Sequence, residues 1–283
     1  FKSAMKEYYA KAGLPTARYH LVQGLDDALE FAHYVGYPVV VKPDNGVGAN
    51  NTFKLCSDDD MRWFISNKND EVYIMEEYVN GYVQTYDAIV DSKGAPLFES
   101  GNVTPLSLMD IVNEGGDSIY YLVKDLPERI RDAGLRTVKA FGVKSRFIHL
   151  EFFILNEDQE GLGKKGDILG LEVNMRPAGG YTPEMYNYSQ ETDVYKIWAD
   201  MVCFDTNTKP IGNHHYCAFY SRRDGRHYKL DDYEITMKYK DKLKMWGRIP
   251  DALSGAMANQ MYVCNFDTEE EMNQFYQDMA ATY

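Results

Sequence analysis

The sequence is poor in the features that mark several protein classes. Its four cysteines, Cys56, Cys203, Cys217 and Cys264, are scattered through 283 residues with no Cys-x-x-Cys pair. That pattern argues against a disulfide framework and a cysteine-rich zinc site, and it predicts reduced thiols and a cytoplasmic protein. No apolar run approaches the roughly 20 residues of a membrane-spanning helix, because charges interrupt every stretch. Basic residues are in deficit: 30 Lys and Arg stand against 43 Asp and Glu, a formal net charge of -13. Neither a nucleic-acid footprint nor a membrane-surface patch fits that balance. Any anionic ligand must instead meet a local cluster of cations. The phosphate-loop order GxxxxGK[ST], internal repeats and low-complexity tracts are missing as well.

What is present is enough apolar material for a sizeable core, 45% of residues, in a chain long enough for two or three packed units. Phe1, Met5, Tyr8, Tyr9 and Ala12 recur at helical spacing, and Gly13 and Pro15 end the pattern. The chain starts on Phe1 already in this helix, so a preceding segment is expected. A strand over 17–22, a helix over 25–35 closed by Gly36, and a valine-rich strand over 38–42 follow as β-α-β. Strands are predicted at 52–55 and 71–76 around a helix capped by Ser57 with Asp60, then a hairpin of 82–91 with 95–99 turning on Ser92-Lys93-Gly94. From 100 to 118 periodicity is lost, as in an ordered loop or a lid. Helices are predicted near 127–141 and 190–204, with strands 146–155 and 167–175 between them. Beyond 205 the pattern predicts a hairpin built on 213–222 and turning at Arg223-Asp224-Gly225, then a last helix opened by a Thr268/Glu271 capping box. The resulting class is α+β.

Three segments carry chemistry. Val39-Val40-Val41-Lys42-Pro43 runs into Asp44-Asn45-Gly46-Val47-Gly48-Ala49, a lysine at a strand mouth followed by glycines that let backbone N–H groups approach a phosphate. Taken alone, it reads equally well as a surface turn. Glu172 and Asn174 share a strand face about 7 Å apart, and Glu151 lies on a strand that could pair with theirs, so the three could share a hard cation such as Mg²⁺. The bland alternative is a solvated polar stripe. Arg176 offers a fork for phosphate or carboxylate, or a simple partner for Glu172. Ile74-Met75-Glu76-Glu77-Tyr78-Val79 leads an apolar strand into two acids, a place where an adenine edge could rest, although taken alone a plain strand end is the better account.

In this order the segments resemble the ATP-grasp superfamily over about residues 1–205. Lys2 before Ala12-Gly13-Leu14-Pro15 is similar to the family's early lysine and its helix-ending turn. Val40-Val41-Lys42-Pro43 with 45–49 is similar to its strand and glycine-rich loop, Glu76-Glu77-Tyr78-Val79 to its adenine hinge, and His149-Leu150-Glu151-Phe152 with Leu171-Glu172-Val173-Asn174-Met175-Arg176 to its metal signature. The resemblance implies two α+β subdomains clasping ATP: a helix at 1–15, a lid subdomain at 16–77, a metal subdomain at 78–205, and a small C-terminal α+β lobe at 206–283. It implies that Lys2 and Lys42, with Asn45, Gly46 and Gly48, meet the phosphates. Glu76 would meet the adenine amino group, and Glu77 and Val79 would give backbone contacts. Glu151, Glu172 and Asn174 would bind Mg²⁺, with Mn²⁺ as the alternative ion, and Arg176 would steady the group in transfer. Many members place a glutamate on the ribose where this chain has Val83 and Gln84, which leaves Gln84 as the expected ribose contact. The N-terminal domain usual in the family is not in this sequence, and a homodimer is among the assemblies it allows.

The implied activity is that of a carboxylate-amine ligase: a carboxylate takes the γ-phosphoryl group of ATP, and an amine then displaces phosphate. Pro177-Ala178-Gly179-Gly180-Tyr181 resembles such ligases more than biotin carboxylase. The alternatives are a carbamoyl-phosphate-synthase-like or biotin-carboxylase-like activity on bicarbonate or carbamate, and an ATP-binding module without turnover. His149 is a candidate substrate or supporting contact, or an ordinary strand histidine.

Overall fold

Alternating residues on Val39–Pro43 (β2) and Tyr73–Glu77 (β4) give one sheet two different faces. The computed structural model describes residues 1–46, 51–105 and 116–283. It divides into two compact units that interleave along the chain: Phe1–Tyr82, Leu135–Phe141 and Glu151–Val173, and Val83–Gly134, Gly142–Leu150 and Asn174–Tyr283.

In the first unit, β1 (Tyr19–Leu21), β4, β2 and β3 (Phe53–Leu55) form an antiparallel sheet in that order. Val39, Val41, Tyr73 and Met75 point to a core with Ala28 and Ala32 of α2 (Leu25–Val35) and Met61 and Phe64 of α3 (Asp58–Asn67). The helix ends follow local chemistry. Gly36 closes α2 at φ 85, and the Ser57 hydroxyl accepts the Asp60 N–H at the start of α3. The opposite face of the sheet carries Val40, Lys42, Ile74 and Glu76, with Val40 across from Glu76 and Lys42 across from Ile74.

Helix α1 (Lys2–Lys11) has no cap of its own, since Phe1 offers no side-chain acceptor. Asp44, just past β2, does the capping instead. Its carboxylate takes the Ser3 N–H at 2.7 Å and the Ser3 hydroxyl at 2.8 Å, and its carbonyl takes the Lys2 N–H at 2.8 Å. An acid there also faces the positive end of the helix dipole. Farther along α1, the fully buried Tyr9 ring packs edge-on to Phe152 at 6.2 Å, and its hydroxyl donates to the carbonyls of Glu172 at 3.1 Å and Glu151 at 3.3 Å.

A second sheet has nine strands. Its order is β10 (Ile168–Asn174), β9 (Arg146–Leu155), β5 (Gly81–Val90), β7 (Asn102–Thr104), β8 (Ser118–Leu122), β11 (Tyr216–Arg222), β13 (Gln260–Phe266) and β12 (Leu243–Arg248), with β6 (Pro96–Ser100) on β5. Within the second unit, β11 and β13 are covered on both faces. Cys217, Phe219, Met261 and Val263 pack against Met185 and Tyr186 of α5 (Thr182–Ser189) and Ile197 and Met201 of α6 (Val194–Phe204). Ala218, Tyr220, Tyr262, Cys264 and Phe266 pack against Ile235 of α7 (Asp232–Lys238) and Met272, Phe275 and Met279 of the C-terminal α9 (Glu269–Ala280). Burial on two faces explains why these strands read as near-continuous apolar runs. It also separates the two inner cysteines: the register sets Ala218, not Cys217, opposite Cys264, so the two thiols face opposite sides of the sheet. The remaining helices are α4 (Glu128–Phe141) and α8 (Asp251–Met257). Among the described residues no helix is long and apolar enough to cross a membrane.

Several expected elements differ. The helix expected near 190–204 begins only at Val194, where Asp193 starts α6 by accepting the Tyr195 and Lys196 N–H groups, and α5, with Pro183 in its first turn, lies before the expected range. Strand β11 does not turn back on itself after Arg223. Its partners are β8 and β13. The Thr268 hydroxyl accepts the Glu271 N–H at 3.3 Å, but the Glu271 carboxylate reaches Asp267 rather than closing the box. A reciprocal box forms at Asp231 and Glu234 instead. The lid segment expected over 100–118 lies partly outside the described residues.

Gly170 lets β10 pass against the Tyr9 ring, where an added Cβ would sit 2.4 Å from ring carbon Cδ1. Gly170→Ala is expected to lower stability by about 1–3 kcal/mol through overpacking. Urea denaturation checks this, and an unshifted midpoint would mean that the ring has room to move.

Candidate functional site

The polar face of the first sheet meets α1 at a buried cluster of charges. Lys2 and Lys6 lie one helical turn apart on the same side of α1. Lys42 of β2 and Glu76 of β4 are diagonal neighbours across the ladder. Glu76 receives Lys42 on Oε2 and Lys6 on Oε1, the latter at 2.5 Å, with all three side chains at most 14% exposed. Lys6 also donates to the Ala17 carbonyl at 3.2 Å. Burial pushes the Glu76 carboxyl up, but the Lys42 and Lys6 ammoniums more than reverse this and leave it at about 2. Burial lowers the Lys6 ammonium from its ordinary value, against the raising effect of Glu76.

The metal signature is tied to the same helix. Lys2 Nζ lies 2.8 Å from Glu172 Oε1 and 3.0 Å from the Gly46 carbonyl. Burial raises the Tyr9 hydroxyl well above its usual range, and the nearby Glu151 and Glu172 carboxylates raise it further. The first unit therefore gathers Lys2, Lys42, Gly46, Glu76, Glu151 and Glu172 around α1. Asn45 stands in the loop beside Asp44, and Gly48 lies outside the described residues. Glu77 is buried and clamped by Arg18 through contacts of 2.6 and 2.7 Å, and Val79 belongs to a small core with Ala17, Leu155 and Leu169. The hinge backbone is occupied on both sides of Val79: the Tyr78 carbonyl accepts from Gln159 Nε2 at 2.6 Å, and the Asn80 N–H donates to Gln159 Oε1 at 3.1 Å.

Gln84, Asn174 and Arg176 belong to the second unit. Gln84 is buried in β5 opposite Val103. Arg176 is exposed and donates to the Pro177 carbonyl at 2.8 Å. Asn174 is buried with its Nδ2 unpartnered. Among the described residues no group of three or more His, Cys, Asp and Glu side chains could hold a metal. The expected set is two carboxylates and an amide, all hard oxygen donors, and this chemistry fits Mg²⁺ or Mn²⁺ completed by phosphate oxygens. His149, two residues before Glu151, places Nδ1 2.6 Å from the fully buried Asp87, whose other oxygen takes the Thr85 hydroxyl at 2.7 Å.

Lys6 is the residue that motif reading passed over. Its signal was in the sequence: a second lysine one turn after Lys2 on a helix that also buries Tyr9.

Because Glu76 sits at about 2 in the fold against an ordinary 4.5, its ionised form stabilises the fold above pH 4.5, and that contribution fades as pH falls towards 2. Glu76→Gln leaves two buried ammoniums without their partner, so about 3–5 kcal/mol should be lost at pH 7. The acid limb of stability between pH 4.5 and 2 should also flatten. Urea titrations across pH check both, and an unaltered acid limb would contradict an ionised Glu76.

Comparison with known proteins bears on the family and the fold. The family model described as carbamoyl-phosphate synthase L chain, ATP binding domain, matches residues 1–145. The carbamoyl phosphate synthase large chain of Thermotoga maritima is 28% identical over 188 residues, which cover 62% of this chain and 16% of that one. The mitochondrial carbamoyl-phosphate synthase [ammonia] of Mus musculus is 23% identical over 178 residues, 58% of this chain and 11% of that one. The chain thus spans a small part of these relatives. Among solved structures, N5-carboxyaminoimidazole synthetase of Staphylococcus aureus, complexed with ADP, superposes with a TM-score of 0.71 at 12% identity, over 98% of this chain and 70% of that one. The biotin carboxylase domain of Hydrogenobacter thermophilus 2-oxoglutarate carboxylase does so with a TM-score of 0.68 at 13% identity, over 98% and 64%. These likenesses establish the ATP-grasp fold, and the match over 1–145 shows that the chain belongs to the carbamoyl-phosphate synthase L chain ATP-binding domain family of the ATP-grasp superfamily.

Proposed function

We propose that this chain is the ATP-using part of a ligase that activates a carboxylate as an acyl phosphate and joins it to an amine. The observation that supports this most is the concentration of Lys2, Lys6 and Lys42 in one unit of a chain of net charge -13, each matched to a carboxylate. A polyanion could compete with these carboxylates for Lys2 and Lys42, its excess negative charge being offset by Mg²⁺. In this reading Lys2 and Lys42 meet ATP phosphates together with the Asn45–Gly46 backbone, and Lys6 holds Glu76 in place. Glu76, Glu77 and Val79 border the adenine, and Gln84 meets the ribose. Glu151, Glu172 and Asn174 would hold Mg²⁺, which would neutralise charge on the terminal phosphates. Arg176 steadies the transferring group.

The chemistry then balances in two steps. A carboxylate oxygen attacks the γ-phosphorus, the bond to the β–γ bridging oxygen breaks, and ADP leaves with the electron pair. The amine nitrogen next attacks the acyl carbon, phosphate leaves, and the nitrogen loses a proton. The protein positions groups and offsets charge and forms no bond itself. A second reading, phosphorylation of bicarbonate or carbamate, is favoured by the family match over 1–145.

Three measurements bear on the proposal. Lys42→Ala is expected to weaken ATP binding about ten- to a hundredfold, since a charge-assisted contact is worth roughly 1.5–3 kcal/mol; unchanged affinity by calorimetry would remove Lys42 from the site. Glu172→Gln should abolish turnover while circular dichroism stays native, and full Mg²⁺-dependent activity would remove Glu172 from the metal set. ATP labelled in the adenine ring should yield labelled ADP with panels of acids and amines. Labelled AMP in step with product would overturn the mechanism, and ADP release with bicarbonate alone would favour the second reading.

A further inference from the structure

Most arginines of the chain are engaged. Arg18 meets Glu77, Arg131 meets Glu99, Arg248 meets Asp224, and Arg222 and Arg223 donate to backbone carbonyls. Arg146 and Arg176 are different. Arg146, the exposed first residue of β9, meets no carboxylate among the described residues, and Arg176 donates only to the carbonyl of its own neighbour. Two guanidinium groups without a carboxylate, in a chain with 43 acids to 30 bases, mark a place where an external anion would be favoured.

Both arginines line one cleft of about 470 Å³ within the second unit, and its other walls include Phe147, Met175, Pro183 and Trp198. The aromatic wall is firmly set. Phe147 is buried and stacks on the fully buried Tyr186 at 6.1 Å, and its ring lies 6.4 Å from that of Trp198, which keeps 38% of its surface exposed. Tyr195, also on the wall, donates its hydroxyl to Glu184 at 2.6 Å, so that nearby carboxylate is already engaged. The combination is an apolar slot with cationic groups beside it. Its size falls within the roughly 300–1,000 Å³ of small-molecule sites. A bicarbonate ion has no apolar body to place against such walls.

We propose that this cleft seats an organic acid with an aromatic or branched apolar body, its carboxylate held by Arg146 and Arg176. The inference rests on the carboxylate-activating reading above and names the class of acid. Arg146 supplies recognition of the acid, and Phe147 and Trp198 select its body.

The test uses the full chain without nucleotide and the probes 3-phenylpropionate, 4-methylvalerate, acetate and 3-phenylpropionamide, followed by calorimetry and tryptophan fluorescence. The two apolar acids should bind at least about tenfold more tightly than acetate, which lacks the apolar body, and than the amide, which lacks the charge-assisted contact. Arg146→Ala should remove the preference for acid over amide, and Trp198→Ala the preference for 3-phenylpropionate over acetate. Both sites are partly or fully exposed, so the variants should keep the native circular dichroism. Equal affinity for 3-phenylpropionate and acetate overturns the proposal, as does tight binding that neither substitution weakens. ADP release is read separately. Binding as expected with no ADP release for any acid would keep the cleft and sink the ligase reading, whereas ADP release with small acids and no binding of 3-phenylpropionate would sink the cleft assignment alone.

Discussion

The first unit depends on one buried carboxylate. Glu76 lies where α1 meets the polar face of the small sheet, and it is the shared counter-charge of Lys6 and Lys42. Each of these ions would be strongly unfavourable there alone, and their attraction is large enough to keep Glu76 ionised far below its ordinary range. Two attachments at the ends of α1 keep the arrangement in register. Asp44 caps the helix start from the end of β2, and the Tyr9 hydroxyl fastens its later turn to the backbones of Glu151 and Glu172. Lys2 reaches Glu172 because both attachments hold.

What could be read from sequence was whatever is settled within a few residues. The span of α2, the Ser57 cap, the Ser92-Lys93-Gly94 turn and the strands bearing Glu151 and Glu172 all follow from local periodicity and turn chemistry. Where the outcome depends on distant partners the reading failed. Strand β11 carries a turn at its end, yet its ladder bonds go to β8 and β13, about 100 residues upstream and 40 downstream in sequence. Helix α5, only eight residues long, went unread, and α6 starts at Val194 rather than near 190 because Asp193 caps it. Strands β12 and β13 and helices α7 and α8 went unread for a related reason: they are short, or apolar on both faces, so period 2 and period 3.6 are hard to separate.

The candidate site shows the same division. Motif order identified the family and nominated most of the residues proposed for the site, since glycines after a strand lysine and paired acids on strands are local patterns. Lys6 was missed because its role comes from what it touches across the fold, not from its neighbours in the chain. The cleft beside Arg146 and Arg176 was invisible for the same reason, as its walls come from β9, the segment after β10, and helices α5 and α6.

The placement of the four thiols has its own consequence. Cys56 and Cys203 are exposed, whereas Cys217 and Cys264 are buried on opposite faces of one sheet. Burial raises both inner thiols well above their ordinary range, so neither holds a reactive thiolate while the layers are closed. Since each lies under a different helical layer, alkylation of Cys217 reports loosening of α5 and α6, and alkylation of Cys264 reports loosening of α7 and α9. The chain thereby carries a native pair of chemical reporters that distinguishes which side of the sheet opens first.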